Sequence, residues 1–176
     1  MSLKKITFAL VGTLFTFATF TLLKNNNAIG AKQDGKVFED WSVACSMQTI
    51  NKKKAQLCVL KQSVNLKKEE KNEIIAEYEI GYYGDKKELK IIQTLPLNIR
   101  LDAGTSIVSA DKAVTSGKFI VCTKQGCQAI SNLSDENLKI ILQNDHSKIV
   151  FMSIYGKQIA TPFSSKGLGA ALSYIK

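Results

Sequence analysis

Proline, histidine and arginine are scarce in this sequence. It holds two prolines, one histidine and one arginine among 176 residues. Two prolines exclude a proline-rich linker, and a composition of 45% hydrophobic and 22% charged residues excludes a disordered or collagen-like chain. The length and the composition together predict one ordinary globular domain.

The formal net charge of +9 comes almost entirely from lysine. Proteins that recognise nucleic-acid sequences depend heavily on arginine, and Arg100 is the one arginine here. We therefore expect no nucleic-acid partner. Because the lysines are spread along the chain, they favour a solvated basic surface. Attraction to an anionic surface, such as lipid headgroups or glycans, is the functional alternative.

The familiar catalytic and cofactor motifs are missing. There is no GxSxG motif, no GxGxxG between a strand and a helix, and no CxxC pair of the zinc or thioredoxin-like kind. The single histidine, His146, lies in a polar loop with no nucleophile placed beside it. The sequence predicts a protein that is not an enzyme and has no cofactor or metal ion, with a hydrolase based on His146 as the alternative.

The long apolar run of the chain lies in residues 1–30. Met1–Lys5 is basic, Ile6–Leu23 is apolar and uncharged, and Ala28-Ile29-Gly30 supplies small residues for cleavage after Gly30. This order is typical of a bacterial secretory signal, and retention as a membrane anchor is the alternative. We predict a signal helix at 1–30 and an exported protein in the periplasm or at the outer membrane or cell surface, with no stable membrane span after cleavage.

Four cysteines, an even number, agree with an exported chain because disulfides form in oxidising compartments. Counting alone allows three pairings. We favour Cys122–Cys127, because its four intervening residues make a hairpin-sized loop and facing hairpin residues lie at disulfide distance. Cys45–Cys58 then closes a loop of about 14 residues, worth roughly 3 kcal/mol in the chain-entropy model. A zinc site built from all four cysteines is the alternative.

Apolar and polar residues alternate along much of the chain after residue 37. Trp41, Val43, Cys45 and Met47 share one side of a predicted strand, and similar strands follow between Gly, Asp and Ser turns. The predicted strands are 41–47, 57–64, 74–82, 89–95, 99–101, 106–109, 118–123, 128–131, 149–155 and 158–163. Ser134 and the acids after it predict one short helix over 135–143, and a turn near Gly167 is followed by a predicted final helical turn at Ala170-Ala171-Leu172. We therefore predict an all-β fold, an antiparallel β-sandwich over 38–176 with one short helix, after a flexible arm at 31–37.

One stretch combines a pair of tyrosines with a pair of lysines. Tyr82 and Tyr83 end a predicted strand, and Lys86 and Lys87 follow in the next turn. Tyrosines beside lysines suit a binding loop, and a strand end with one tyrosine inward and one outward is the structural alternative. We take these four as the candidate binding residues.

Four motifs resemble the invasion-associated locus B family of exported bacterial proteins. They are Phe38-x-Asp40-Trp41-x-Val43-x-Cys45 with Cys58, Leu95-Pro96-Leu97 with Leu101-x-Ala103-Gly104, Phe119-x-x-Cys122-x-x-x-Gly126-Cys127-x-Ala129, and Gly156 and Pro162 with Ser165-Lys166-Gly167-Leu168-x-x-Ala171-Leu172. The resemblance runs from about Phe38 to Leu172. Asn98 stands where the family often has glycine, and Leu168 where it often has phenylalanine.

The resemblance implies an exported, disulfide-bonded β-sandwich that serves as an invasion-associated, virulence-type protein of the bacterial envelope. Such a protein would bind a host factor, such as a component of the host-cell surface, or a component of the bacterial envelope. A structural or stress-related periplasmic protein with no host role is the alternative, because relatives occur in non-invasive bacteria. The family brings no catalytic residues, so only the four cysteines carry over, with a structural role.

Overall fold

The structure, a computed structural model, describes residues 31–50, 52–68 and 71–176. These residues form ten strands and two short helices, in the order β1 (Val37–Phe38), β2 (Trp41–Ile50), β3 (Lys53–Lys68), β4 (Lys71–Tyr83), β5 (Glu88–Leu95), β6 (Thr105–Ser109), β7 (Lys112–Thr123), β8 (Gly126–Asn132), α1 (Asp135–Leu142), β9 (Ser147–Met152), β10 (Gln158–Phe163) and α2 (Leu168–Ile175). The predicted signal at 1–30 lies outside the described residues.

The strands join in one antiparallel sheet with the order β1-β2-β3-β4-β5-β8-β7-β6-β9-β10. Strand β7 links the two halves of this sheet, because residues 112–117 pair with β6 and residues 118–123 pair with β8. Gly117 lies at the change of partner, where a Cβ atom would come within 2.5 Å of the Thr105 and Ser131 hydroxyl oxygens. Glycine therefore permits the close approach at which the sheet folds over. The predicted antiparallel β-sandwich is confirmed.

Aromatic side chains join the two halves of the sheet across the core. The buried Phe163 ring lies 5.7 Å from Trp41 and 5.5 Å from Tyr78, measured between ring centroids. Trp41 Nε1 donates to the Ser164 carbonyl oxygen at 3.0 Å, and the Tyr78 hydroxyl donates to Thr161 Oγ1 at 2.7 Å. Burial raises the pKa of Tyr78 to about 12, and the hydrogen bond with Thr161 acts in the opposite direction. These contacts connect β2 and β4 to the end of β10.

A bulge between β3 and β4 changes which isoleucine faces the core. Strict alternation predicts Ile74 on the inner face together with Ala76. In the structure the register shifts between Val64, which pairs with Ala76, and Asn65, which pairs with Ile74. Ile75 packs against the core and Ile74 is exposed. The expectation for Ile74 was wrong because a bulge inserts one extra residue and shifts the alternation by one position.

The segment after β5 is a loop. Pro96 ends the strand as expected, because proline has no N–H for the ladder. The predicted strand at 99–101 is wrong, since only an isolated bridge between Ile99 and Ser153 is formed there. Asn98 has a left-handed φ of +63°, which glycine adopts freely and asparagine tolerates better than most residues. A left-handed residue does not continue a strand.

The two helices pack on different parts of the sheet, since α1 contacts β7 whereas α2 contacts the first three strands. The Ser134 hydroxyl accepts a hydrogen bond from the Asn137 N–H and caps α1, so the helix predicted at 135–143 is confirmed. Helix α2 is longer than the predicted turn and packs its apolar side against β1, β2 and β3. Gly167 precedes it with φ +76°, and a Cβ atom there would lie 2.1 Å from the Phe38 carbonyl oxygen. Glycine at 167 therefore allows α2 to approach β1 closely.

Candidate functional site

Strands β2 to β5 run between two opposite ends of the sheet. The β2–β3 and β4–β5 turns lie at one end, because each of these strands pairs antiparallel with the next. Strand β5 runs away from that end and finishes at Leu95. Its eight residues separate the two ends by about 24 Å. The candidate binding surfaces lie at these ends.

The lysine end is the group of exposed lysines in the β2–β3 and β4–β5 turns. Its members are Lys52, Lys53, Lys54, Lys86 and Lys87. Three of them follow one another on the β2–β3 hairpin, and the sequence has no acidic residue from 41 to 68. Glu88, beside the β4–β5 turn, forms a salt bridge of 2.9 Å with Lys90, and this bond lowers the pKa of the Glu88 carboxyl group. Asp85 lies in the same turn as Lys86 and Lys87, so the excess of positive charge at this end is carried mainly by the β2–β3 hairpin.

Apolar side chains are exposed on the same hairpin. Met47, Ile50 and Leu57 all face solvent, and Met47 is 64% exposed. Met47 shares a strand face with the buried Trp41 and Val43, as alternation predicts, but it lies past the edge of the core. The β2–β3 ladder continues to the pair Ile50↔Lys53, so the hairpin extends beyond the residues that can cover it.

The four predicted binding residues lie in different environments. Tyr82 packs against the core, whereas the Tyr83 hydroxyl donates to Glu79 Oε1 at 2.6 Å. Burial, together with the bond to Glu79, raises the pKa of Tyr83. Lys86 and Lys87 are exposed in the turn and belong to the lysine end. The fold therefore holds both tyrosines, while both lysines are available to a partner.

The apolar tip lies at the other end of the sheet. It consists of the exposed residues Leu97, Leu101, Ile154 and Tyr155. The Ile154 N–H donates to the Asn98 carbonyl oxygen at 3.0 Å, and the Arg100 N–H donates to the Met152 carbonyl oxygen at 2.8 Å. These bonds hold the loop after β5 beside the β9–β10 turn. Sequence reasoning missed this surface, although its residues follow Pro96 and precede Gly156, two turn-forming positions.

A groove of about 690 Å³ opens beside the apolar tip. Leu101, Val150 and Met152 give it apolar walls, and Lys118 places one cation at the groove. Asp102 also lines the groove, and its Oδ2 atom forms a salt bridge of 2.6 Å with Arg100 Nη2. This pairing lowers the pKa of Asp102 and raises that of Arg100. The groove therefore offers apolar and polar contacts in similar measure, including one paired carboxylate and one lysine.

Each end of the sheet carries a disulfide between directly paired strand residues. Cys45 pairs with Cys58 in the β2–β3 ladder, and Cys122 pairs with Cys127 in the β7–β8 ladder. The Cα atoms are 4.0 Å and 3.9 Å apart, respectively. The first bond lies toward the lysine end. The second lies toward the apolar tip, because Cys127 pairs with Leu95. All four cysteines are thus used, in the pairing that the sequence favours.

The segment predicted as an arm at 31–37 contacts the lysine-end hairpin. The Lys32 N–H donates to Gln56 Oε1 at 2.9 Å, and Gln56 Nε2 donates to the Lys32 carbonyl oxygen at 2.7 Å. The Gln33 N–H donates to the Tyr174 hydroxyl at 2.6 Å, and Lys36 Nζ lies 4.2 Å from the centre of the same ring. The chain therefore enters the fold between β3 and α2.

His146 is exposed in the loop between α1 and β9. The neighbouring Ser147 hydroxyl is buried and donates to Ser109 Oγ at 2.9 Å. Asp145 Oδ1 accepts a hydrogen bond from Ser165 Oγ at 3.4 Å. These contacts give no support to a hydrolase site at His146. Within residues 31–50, 52–68 and 71–176, no three His, Cys, Asp or Glu side chains are close enough together to hold a metal ion.

A small β-sandwich with two disulfides and exposed contact surfaces is typical of exported binding domains. In the part of the chain that the structure describes, no helix has the length and apolar character needed to cross a membrane. The sequence matches the family model described as invasion associated locus B (IalB) protein over residues 41–176. The chain belongs to the invasion associated locus B family, and the resemblance in its motifs is confirmed.

The fold is also similar to a solved structure, the crystal structure of invasion associated protein b from Bartonella henselae. The TM-score is 0.66 at 12% sequence identity, and the match covers 80% of this chain and 92% of that chain. At this identity the likeness establishes the fold. The comparison with curated proteins found no match.

Proposed function

We propose that this chain is an exported, non-enzymatic binding protein of the bacterial envelope. It holds a host factor or an envelope component at the apolar tip and the groove beside it. Membership of the invasion associated locus B family supports an invasion-associated role. The two disulfides fit an exported protein, because such bonds persist in oxidising compartments.

The observation that carries the proposal is the clustering of exposed apolar side chains at the tip. Large apolar side chains on soluble proteins are usually scattered singly, so a cluster rimmed by polar residues marks a contact surface. Tyr155 is 79% exposed. Tyrosine is frequent among the residues that dominate binding energy, because its ring provides a large apolar area and its hydroxyl can form a hydrogen bond.

The test compares two matched pairs of substitutions in the protein that begins at Ala31. Every core residue of the described structure lies after residue 37, so this protein contains the whole fold. The tip variant is Ile154→Ser with Tyr155→Ser, and the control variant is Val37→Ser with Ile74→Ser, two exposed residues outside the apolar tip and the lysine-end hairpin. Both pairs replace two exposed apolar side chains by serine.

Binding of each variant to bacterial envelope fractions and to host-cell membrane fractions is titrated in high salt, which screens the lysine charges. We expect the tip variant to bind at least about tenfold more weakly than the unsubstituted protein, and the control variant to bind normally. Equal binding of the tip variant, or no binding of the unsubstituted protein to any fraction, would contradict the proposal.

Two further results would favour one of the alternative functions over the proposed one. A deletion strain with an envelope defect in pure culture and normal host association would indicate a structural or stress-related role without a host partner. A hydrolytic activity of the purified protein that disappears in His146→Ala would overturn the non-enzymatic part.

A further inference from the structure

We propose that the lysine end docks on an anionic lipid bilayer. The docking surface consists of the lysine end and the three exposed apolar residues of the same hairpin, Met47, Ile50 and Leu57. This inference goes beyond the proposed function. It uses residues at the opposite end of the sheet from the apolar tip, so either proposal can fail while the other holds.

The first argument is charge complementarity. The β2–β3 ladder runs on to Lys53, seven residues past Leu60, the first β3 residue paired with β4. Strand β4 continues three residues past Ile80, the partner of Leu60, so the hairpin extends about four residues, or roughly 13 Å, beyond the end of β4. Its turn carries three consecutive lysines and no acid, and the β4–β5 turn adds Lys86 and Lys87, with Asp85 beside them, at the same end. A basic projection of this kind is attracted to negatively charged lipid headgroups.

The second argument is the apolar content of the hairpin, which favours a bilayer over an anionic glycan. Met47 lies on the strand face that carries Cys45, and Leu57 lies on the opposite face, where it pairs with Ser46. Apolar side chains on both faces can enter the boundary between headgroups and acyl chains while the lysines remain at the headgroups. A sulfated or phosphorylated glycan would pair with the lysines but would leave this apolar area in water.

The third argument is the place where the chain enters the fold. Lys32 is bonded through its backbone to Gln56, which lies on β3 only two residues from Lys54. The apolar run Ile6–Leu23 ends eight positions before Ala31, a length of chain that spans at most about 29 Å. Whenever that run is held in a membrane, the lysine end is the part of the fold kept near the bilayer. Docking at this end leaves the apolar tip directed away from the membrane.

The test measures binding of the protein that begins at Ala31 to phosphatidylcholine vesicles with and without about one third phosphatidylglycerol. The test variant is Lys52→Gln, Lys53→Gln and Lys54→Gln. The control variant is Lys112→Gln, Lys124→Gln and Lys166→Gln, three exposed lysines elsewhere, so both variants lose the same charge. Thermal unfolding of both variants verifies that the fold is retained.

We expect binding to the anionic vesicles only, and weaker binding as salt concentration rises. The test variant should lose affinity by on the order of a hundredfold, because each lysine near an anionic surface contributes about a fivefold factor. The control variant should retain binding to within a few-fold. The variant Met47→Ser with Leu57→Ser should lose about tenfold, since part of its apolar area no longer leaves water.

Three results would overturn the proposal. The first is equal binding to neutral and anionic vesicles, or none to either. The second is an equal loss in the test and control lysine variants, which would indicate attraction by net charge alone. The third is that heparin competes with the vesicles for the protein and that heparin binding is unchanged in Met47→Ser with Leu57→Ser. That result would assign the hairpin to an anionic glycan. Loss of binding by Ile154→Ser with Tyr155→Ser in envelope fractions tests the apolar tip separately.

Discussion

The lysine end and the apolar tip belong to one sheet and share one core, yet they present opposite chemistry. The lysine end is a projecting hairpin whose exposed apolar side chains lie among lysines with no acid on the hairpin. The apolar tip is formed by two loop segments that bond to each other, and Asp102 neutralises the arginine beside it. The strands determine where each end lies, whereas the turns determine what each end can bind.

The two ends also differ in how they are reinforced. A disulfide with a sequence separation of 13 lies toward the lysine end, and one with a separation of 5 lies toward the apolar tip. The lysine end has further support from the segment at 32–36, which bonds to Gln56 and Tyr174. A projecting hairpin has few core contacts of its own, so covalent and hydrogen-bonded support matters more there.

The largest expected difference in stability comes from removing the disulfides one at a time. Cys45→Ala with Cys58→Ala should lower the free energy of unfolding by about 3 kcal/mol, and Cys122→Ala with Cys127→Ala by about 2 kcal/mol. The order follows the loop lengths, because a longer closed loop restricts the unfolded chain more. Urea unfolding measures both values. The reverse order would show that packing of the buried Cys127 side chain outweighs loop closure.

A smaller effect should distinguish the tyrosines at the two ends. Tyr83→Phe removes the hydrogen bond to Glu79 and should lower the free energy of unfolding by about 1 kcal/mol. Tyr155→Phe alters an exposed side chain and should change it by less than about 0.5 kcal/mol. Urea unfolding at neutral pH compares the two. Equal losses would mean that the Tyr83 bond contributes no net stability.

Alkaline pH should increase the difference in stability between the Tyr83 and Tyr155 variants. An unfolded tyrosine ionises near pH 10, whereas burial and Glu79 raise the pKa of Tyr83 in the folded protein. The stability linked to this shift is therefore complete below about pH 10 and is lost as the pH rises above it. Tyr83→Phe should make the alkaline fall in unfolding free energy less steep, with Tyr155→Phe as the control variant. An unchanged slope would contradict the shift.

The smallest expected effect concerns backbone conformation at the two ends. Lys87 at the lysine end has φ +50°, and Asn98 beside the apolar tip has φ +63°. Lys87→Gly should raise stability by up to about 1 kcal/mol, because a lysine Cβ is crowded in this conformation. Asn98→Gly should change it by only a few tenths, since asparagine tolerates the left-handed region. Thermal unfolding measures both, and a larger gain at residue 98 would reverse the expectation.

Local patterns in the sequence predicted most of the elements. Alternation identified β2 and the β4–β5 hairpin, and the Ser134 cap identified α1, because these structures depend on residues near each other in the chain. The bulge that turns Ile75 toward the core and the change of partner at Gly117 were not predictable in this way. Both depend on how distant strands meet.

The candidate surfaces show the same difference between local features, which the sequence predicts, and contacts between distant segments, which it does not. Lys86 and Lys87 were identified from sequence because a basic turn is a local feature. The apolar tip was missed because Leu97 and Tyr155 are far apart in sequence and meet only through the bonds around Ile99 and Ser153. Tyr82 and Tyr83 looked available because sequence does not reveal the core contact of one or the Glu79 partner of the other.

The hydrogen bond from Trp41 to Ser164 has a consequence for the order of folding. These residues are 123 positions apart, and β10 and α2 complete the core around the indole. A contact of such long sequence separation forms late, because the intervening chain must first be brought together. A chain that ends before Ser164 therefore cannot complete the packing around Trp41. The protein acquires its final shape only when the residues of β10 and α2 have joined the core.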